Sequence, residues 1–93
     1  MMSTLAVEKT LKCNNGEEVT VHFEPSIHYQ PKSAISDSTG AFSVYIDSRF
    51  IGSVNVHQMF FINRELEALD IENYNQANMV ISGLYKIAIR TPF

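Results

Sequence analysis

The sequence predicts an α+β fold, in which two β-hairpins form an antiparallel sheet that is packed on one face by C-terminal helices, giving a two-layer sandwich. Two observations support this fold class. Apolar and polar residues alternate in two segments before His57, and the apolar spacing lengthens to about 3.6 residues after it. A chain of 93 residues has the length of one compact domain, spanning residues 1–93.

The first hairpin is predicted to turn at the tripeptide Asn14-Asn15-Gly16. A three-residue loop with glycine in the left-handed position pairs Cys13 with Glu17 and Leu11 with Val19. A two-residue Asn15-Gly16 turn would mix the two faces, so we expect the longer loop. The apolar face then carries one charged intruder, Lys9, among Leu5, Val7, Leu11, Cys13, Val19, Val21 and Phe23. The polar face consists of Glu8, Thr10, Lys12, Glu18, Thr20, His22 and Glu24.

The second hairpin is predicted within residues 41–57, "AFSVYIDSRFIGSVNVH". Pairing Ile46 with Phe50 around Asp47-Ser48-Arg49 again separates two faces. The face towards the core would hold Phe42, Val44, Ile46, Phe50, Val54 and Val56. The outer face would hold Ser43, Tyr45, Ile51, Ser53, Asn55 and His57. Tyr45 and Ile51 are therefore expected to be cross-strand neighbours on the outer face.

The hairpins are joined by residues 25–40, which contain two prolines, four serines and a closing glycine. A connection of this length and composition predicts a loop, and loops this long in compact domains commonly have a function.

Two helices are predicted after the hairpins. Asn63 can cap a short helix through Leu69, and Asp70 or Asn73 can cap a longer one running towards Ile89. The longer helix would have a polar line of Asn78, Ser82, Lys86 and Arg90. Its apolar stripe would consist of Ala77, Val80, Ile81, Leu84, Ile87 and Ala88. The alternative ends the helix at Gly83 and makes residues 84–90 a further strand.

Charge and cysteine content argue against several classes of function. The net charge is −3, and the seven lysines and arginines are scattered singly, which argues against direct binding of nucleic acid. The single cysteine, Cys13, excludes an intramolecular disulfide and fits a reducing compartment. There is neither a signal-peptide pattern nor a run of apolar residues long enough for a membrane span, so we expect a cytoplasmic protein without membrane partners.

The segment Val21–His28, "VHFEPSIH", holds the residues that most resemble a metal site. His22 and Glu24 share one face of a strand, Glu8 would lie opposite His22, and His28 could return towards them. Zinc needs three or four such ligands. This patch defines one alternative function, a small metal-dependent enzyme, although a row of His, Glu, Thr and Lys is also typical of a solvated sheet face.

Other chemistry has little support in the sequence. Cys13 is predicted to face the core, where a free thiol is usually inert. The serines lack a Gly-x-Ser-x-Gly motif, and the glycines are isolated rather than grouped in a phosphate-binding loop. We therefore predict no cofactor and no catalytic residue. A carrier of small ligands, with a pocket between sheet and helices, is a further alternative.

The leading hypothesis is a non-catalytic protein-binding module. Tyr45 and Ile51 are expected to expose apolar surface, with Asn55 and His57 beside them and Tyr29 joining from the long loop, as in many protein interfaces. The partner would be another protein or a second copy of the chain. A small acidic domain is also typical of the inhibitors and regulators from phages and other mobile elements, which mask the surface of a partner protein.

Overall fold

A computed structural model describes residues 7–25 and 42–91, which form an antiparallel sheet followed by two helices. The elements are β1 (Val7–Lys12), β2 (Glu18–Pro25), β3 (Phe42–Ile46), β4 (Arg49–Val54), α1 (Val56–Leu66) and α2 (Tyr74–Arg90). The four strands pair in chain order, β1-β2-β3-β4. This arrangement confirms the predicted α+β two-layer fold. Pro25 ends β2, whereas the rest of the predicted loop 25–40 lies outside the described residues.

The first hairpin has the predicted register. Its pairs run from Val7 with Phe23 to Lys12 with Glu18. At the loop, the Cys13 amide donates to the Glu17 carbonyl at 2.7 Å. Gly16 has a φ of 96°, the left-handed conformation that such a loop needs and that glycine adopts without steric cost.

The second hairpin differs from the prediction at its turn. The loop has two residues, Asp47 and Ser48, with φ of 49° and 74°. Positive φ at both central positions is the type I′ geometry, whose twist matches that of the flanking strands. Tyr45 therefore pairs with Phe50, and the predicted pairing of Ile46 with Phe50 is wrong.

A β-bulge then restores the predicted inward positions further from the turn. The register shifts between Val44 and Tyr45, so that Val44 pairs with Gly52 and Phe42 pairs with Val54. An extra residue on one strand is what defines a bulge. Two side chains change places relative to the prediction as a result. Phe50 is 56% exposed, whereas Ile51 is half-buried and packs against the core.

Helix α1 begins earlier than predicted. The strand ends at Val54, and Asn55 caps α1 through a hydrogen bond of 2.8 Å from the Gln58 amide to Asn55 Oδ1. The Gln58 side chain in turn accepts from the Asn55 amide at 2.8 Å, which completes a capping box. Asn63, the predicted cap, lies in the middle of the helix, and the predicted strand position of His57 is helical.

Helix α2 confirms the predicted long helix, and residues 84–90 do not form the alternative strand. Asn73 is its N-cap, accepting from the Gln76 amide at 2.9 Å, and the helix continues without interruption to Arg90. The buried side chains are Ala77, Ile81 and Ala88. Ile87, predicted to face the core, is 52% exposed. Near it, Tyr85 packs against the core.

The core lies between the inner face of the sheet and the two helices. Within the described residues every buried side chain is apolar. The largest fully buried ones are Phe23, Ile46, Ile62, Leu66, Ile81, Val19, Val21 and Val44. Complete burial of such a side chain contributes about 1.5–3 kcal/mol, so this layer is the main source of stability. Neither described helix combines the length and hydrophobicity needed to cross a lipid bilayer.

Candidate functional site: the outer face of the sheet

The outer face of the sheet is the side opposite the two helices. The alternation predicted for the first hairpin places Glu8, Thr10 and Lys12 of β1 on this side, opposite His22, Thr20 and Glu18 of β2. Among the described elements, none packs over it. The outer face is therefore the candidate binding surface.

Three aromatic rings form a row across this face, one from each of β2, β3 and β4. His22 pairs with Tyr45 in the strand register, and Tyr45 pairs with Phe50. The centroids of the His22 and Tyr45 rings are 6.0 Å apart. Those of Tyr45 and Phe50 are 5.7 Å apart with an interplanar angle of 62°, an edge-to-face contact. Such pairs contribute about 0.5–1.5 kcal/mol beyond burial.

The imidazole of His22 lies between two carboxylates. Its Nε2 is 3.1 Å from Glu24 Oε1, and its Nδ1 is 3.4 Å from Glu8 Oε2. The Nε2–H tautomer donates to Glu24, whereas Nδ1 is shielded from solvent and finds no aligned hydrogen-bond partner among the described residues.

This arrangement does not assemble the predicted metal ligands around one point. Glu8 and Glu24 approach different nitrogens of the ring, which point in different directions, and a metal site requires its ligands to converge. Within residues 7–25 and 42–91, no three His, Cys, Asp or Glu side chains are placed to hold a metal ion. The fourth predicted ligand, His28, lies outside the described residues.

A shallow groove of about 680 Å³ has two rings of the aromatic row, His22 and Tyr45, in its lining. It is lined by Glu8, Thr20, His22, Glu24, Tyr45, Asp47 and Ser48. Three of these residues are carboxylates, and none is a lysine or an arginine. The groove therefore combines two aromatic side chains with three carboxylates, which we call its acidic rim. We call it the acidic–aromatic groove.

Asp47 fixes one end of the acidic–aromatic groove. Its amide donates to the Thr20 carbonyl at 2.9 Å, and its Oδ1 accepts from the Thr20 amide at 2.9 Å. These two bonds tie the β3–β4 turn to β2. The pairing of β2 with β3, in which Val21 lies opposite Ile46, places Asp47 beside Thr20.

The predicted interface residues are only partly brought together. Tyr45 lies in the acidic–aromatic groove, but Ile51 packs inward and Asn55 is occupied as the cap of α1. His57 lies on α1 and lines a second, smaller groove with Phe60. Tyr29 lies outside the described residues.

Phe50 is the residue of the outer face that the sequence analysis missed. The signal that could have found it is the Asp47-Ser48 dipeptide, since a two-residue turn is the commonest hairpin connection and shifts the pairing of Tyr45 to Phe50.

Cys13 faces the core, as the sequence predicted. Its side chain is 3% exposed. Burial raises the pKa of the Cys13 thiol, and the nearby Glu17 carboxylate raises this pKa further. Both effects reduce the thiolate fraction, which is the reactive form.

No protein-family model, curated protein or solved structure matches this chain. The fold defines an α+β two-layer domain whose open sheet face bears an acidic–aromatic groove.

Proposed function

We propose that this chain is a non-catalytic protein-binding module that engages another protein through the outer face of its sheet. The observation that carries the proposal is the 56% exposed ring of Phe50, packed edge-to-face on Tyr45 at the margin of the acidic–aromatic groove. Aromatic side chains are enriched at the energetic centres of protein interfaces, and a polar rim commonly surrounds them.

The acidic rim selects the chemistry of the partner. Glu8, Glu24 and Asp47 line the groove without a lysine or arginine among them, so a partner surface with basic side chains is complementary to it. An arginine of the partner can stack on Tyr45 or Phe50 while pairing with a carboxylate. Two copies of this chain meeting face to face would instead oppose like charges, which favours a different protein as the partner at this face.

A regulatory role is consistent with this chemistry. A small acidic domain with a net charge of −3 can mask a basic functional surface of its partner, which is how we expect an inhibitor or regulator of the phage or mobile-element type to act. The single, buried thiol of Cys13 suits the reducing cytoplasm, where we expect the protein to act.

The test compares two phenylalanines of similar exposure. Phe50 on the outer face and Phe60 on α1 are 56% and 59% exposed. Wild type, Phe50→Ser and Phe60→Ser are used to capture proteins from extracts of the source cells, and the dissociation constant of the captured partner is then measured with purified proteins. We expect Phe50→Ser to weaken binding at least about 30-fold, equivalent to about 2 kcal/mol, and Phe60→Ser to leave it almost unchanged. Equal binding by all three proteins would refute the proposal.

A charge substitution tests the proposed chemistry of the partner separately. Glu24→Lys reverses one charge of the rim, and Glu65→Lys makes the same change on α1. For a basic partner we expect Glu24→Lys to slow association about tenfold at low salt, with a smaller difference at high salt, and Glu65→Lys to have little effect. Faster association of Glu24→Lys would identify an acidic partner instead.

A further inference from the structure

The edge strand β1 leaves a row of backbone groups without a partner strand in the described part of the chain. The Cys13 amide bonds to β2, and in an antiparallel ladder the inward-bonding residues alternate with outward-bonding ones. The amide and carbonyl groups of Glu8, Thr10 and Lys12 therefore point away from β2. Such an edge is a template for one more strand.

The two edges of the sheet differ in how well they could accept that strand. The β4 edge is interrupted by the register shift opposite Val44 and Tyr45, and Gly52 there has a φ of 156°. By contrast, β1 pairs with β2 in one unbroken register from Val7 to Lys12. A regular, unbulged edge is the one suited to pairing.

Lys9 is the side chain that could block pairing at β1, since a charge on the inner face of an edge strand is a common safeguard. Here the charge is already neutralised within the chain. Lys9 Nζ lies 3.0 Å from Glu67 Oε2, and the Lys9 side chain is only 24% exposed. In this ion pair the Lys9 side chain lies on the inner face of the sheet and does not block the edge of β1.

We infer that β1 is a homodimer interface, in which β1 of a second copy pairs antiparallel with it about a two-fold axis at Thr10. In this register Thr10 lies opposite Thr10 of the second copy, and Glu8 of each chain lies opposite Lys12 of the other. Each of these pairs bonds through outward-pointing backbone groups, and both charged pairs are attractive on the outer face of the sheet. The occupant is a second copy because the edge is complementary to itself.

Other positions of the two-fold axis are less favourable. An axis at Glu8 or at Lys12 places like charges directly opposite each other, which is destabilising in a sheet. An axis at Lys9 places Glu8 opposite Thr10, so that both attractive charge pairs are lost. An axis at Leu11 brings the two leucines together but places Lys12 opposite Thr10, so that both attractive charge pairs are lost. The Thr10 axis alone among these five pairs Glu8 with Lys12 twice.

The inference does not rest on the proposed function, because β1 of the second copy pairs on the side of β1 that faces away from β2, and Glu8 is the one residue shared by the dimer pairing and the groove lining. The dimer joins two sheets into one continuous sheet and presents the two grooves on the same side. A partner with a repeated basic surface would then be bound at two sites at once. The area contributed by one short strand from each chain is small, so we expect a weak dimer with a dissociation constant on the order of 10 μM.

Sedimentation velocity from about 5 to 500 μM tests the dimer and its register, on either side of the expected dissociation constant. We expect Glu8→Lys and Lys12→Glu each to weaken dimerisation about tenfold or more, because each turns both attractive pairs into repulsive ones. An equimolar mixture of the two variants should dimerise again, since both charged pairs of the mixed dimer then join a lysine to a glutamate. Far-UV circular dichroism checks that each variant is folded.

A proline variant tests the backbone contribution. Thr10→Pro removes an amide that points away from β2, so the monomer should fold while dimerisation is lost. Phe50→Ser should leave the dimer unchanged, which separates this interface from the proposed binding face. Three results would each overturn the inference. The wild-type chain could remain monomeric at all concentrations, the dimer could survive Thr10→Pro in the folded protein, or the mixture of charge variants could stay monomeric.

Discussion

The ring of Tyr85 on α2 lies against the backbone of Gly52 on β4, in the space that a β-carbon at position 52 would occupy. The hydroxyl oxygen and two ring carbons of Tyr85 are the nearest atoms to that space. Gly52 also has a φ of 156°, at the limit of the region that side chains rarely adopt. Val44, the strand partner of Gly52, is fully buried, so this contact lies on the inner face of the sheet, where α2 packs.

The first prediction is that Gly52→Ala destabilises the protein. The added methyl group must displace the Tyr85 ring, and the alanine backbone must keep a φ that is unfavourable for residues with a side chain. We therefore expect a loss of about 1–3 kcal/mol in the free energy of unfolding. Urea unfolding followed by circular dichroism measures it. In a Tyr85→Leu background the same substitution should cost less, because part of the obstruction is gone. Equal losses in the two backgrounds would contradict the proposed contact.

The second prediction concerns a glycine with no such role. Gly83 lies inside α2, and a β-carbon there would meet nothing within 4 Å. Alanine is favoured over glycine in a helix interior by about 1 kcal/mol, so Gly83→Ala should raise the free energy of unfolding by up to that amount. The same urea titration gives the result. A loss of stability would mean that α2 is not helical around Gly83 as described.

The third prediction separates the observed start of α1 from the one expected from the sequence. Asn55→Ala removes the cap and half of the capping box with Gln58, and we expect it to cost about 1–2 kcal/mol. Asn63 lies in the helix interior, and its Oδ1 is buried without a hydrogen-bond partner among the described residues. Asn63→Ala should therefore be neutral or stabilising. The opposite ranking in thermal or urea unfolding would restore Asn63 as the cap.

The two hairpins show which parts of the fold a sequence pattern determines. The first was predictable in register because Gly16 fixes the loop and one slip would mix the faces completely. In the second, the bulge compensates for the shorter turn, so Phe42, Val44 and Val54 face inward under both registers. Alternation alone cannot detect a pair of changes that cancel. The pattern therefore could not predict that Phe50 rather than Ile51 lies on the outer face, and so it could not predict the composition of the candidate site.

The start of α1 was missed for a different reason. The segment around Val54 and Val56 alternates like a strand, and valine is a β-branched residue that favours strands, so local propensity favoured extending β4. The competing signal was the Asn55-x-x-Gln58 spacing of a capping box, which is short and easily outweighed. For α2, by contrast, Asn73 and a long apolar stripe pointed to the same helix, and the structure confirms that helix, although Ile87 of the predicted stripe is exposed.

The fourth prediction is that Cys13 reacts slowly with thiol reagents in the folded protein. Its side chain is 3% exposed, and the raised pKa of the thiol lowers the thiolate fraction at neutral pH. With Ellman's reagent at pH 7.5 we expect labelling at least about a hundredfold slower than in urea, since reaction requires local opening. Ser53→Cys in a Cys13→Ala background, which places a thiol at an exposed position, is the control and should react at once. Rapid labelling of Cys13 in the native protein would show that the hairpin end is open.

The last prediction concerns stability in acid and rests on Glu17, which links the first hairpin to the start of α2. Glu17 Oε1 accepts from Asn15 Nδ2 at 2.8 Å and from the Tyr74 amide at 2.8 Å. The Asn15 side chain, and then the Tyr74 amide, hold the pKa of Glu17 below its usual value. The carboxylate also lies at the N-terminus of a helix, where negative charge is favoured.

Because its pKa is lower in the folded than in the unfolded chain, Glu17 stabilises the protein fully above the unfolded value of about 4.3 and progressively less as the pH falls through the folded value. Glu17→Gln keeps an acceptor for the Tyr74 amide but has no charge to lose. We therefore expect the variant to be less stable than wild type at pH 7 and to lose less stability between about pH 5 and pH 2.5. Urea unfolding across that range measures the difference, with Glu18→Gln as the control on the outer face. Parallel pH profiles for wild type and Glu17→Gln would show that the link between hairpin and helix does not depend on the charge of Glu17.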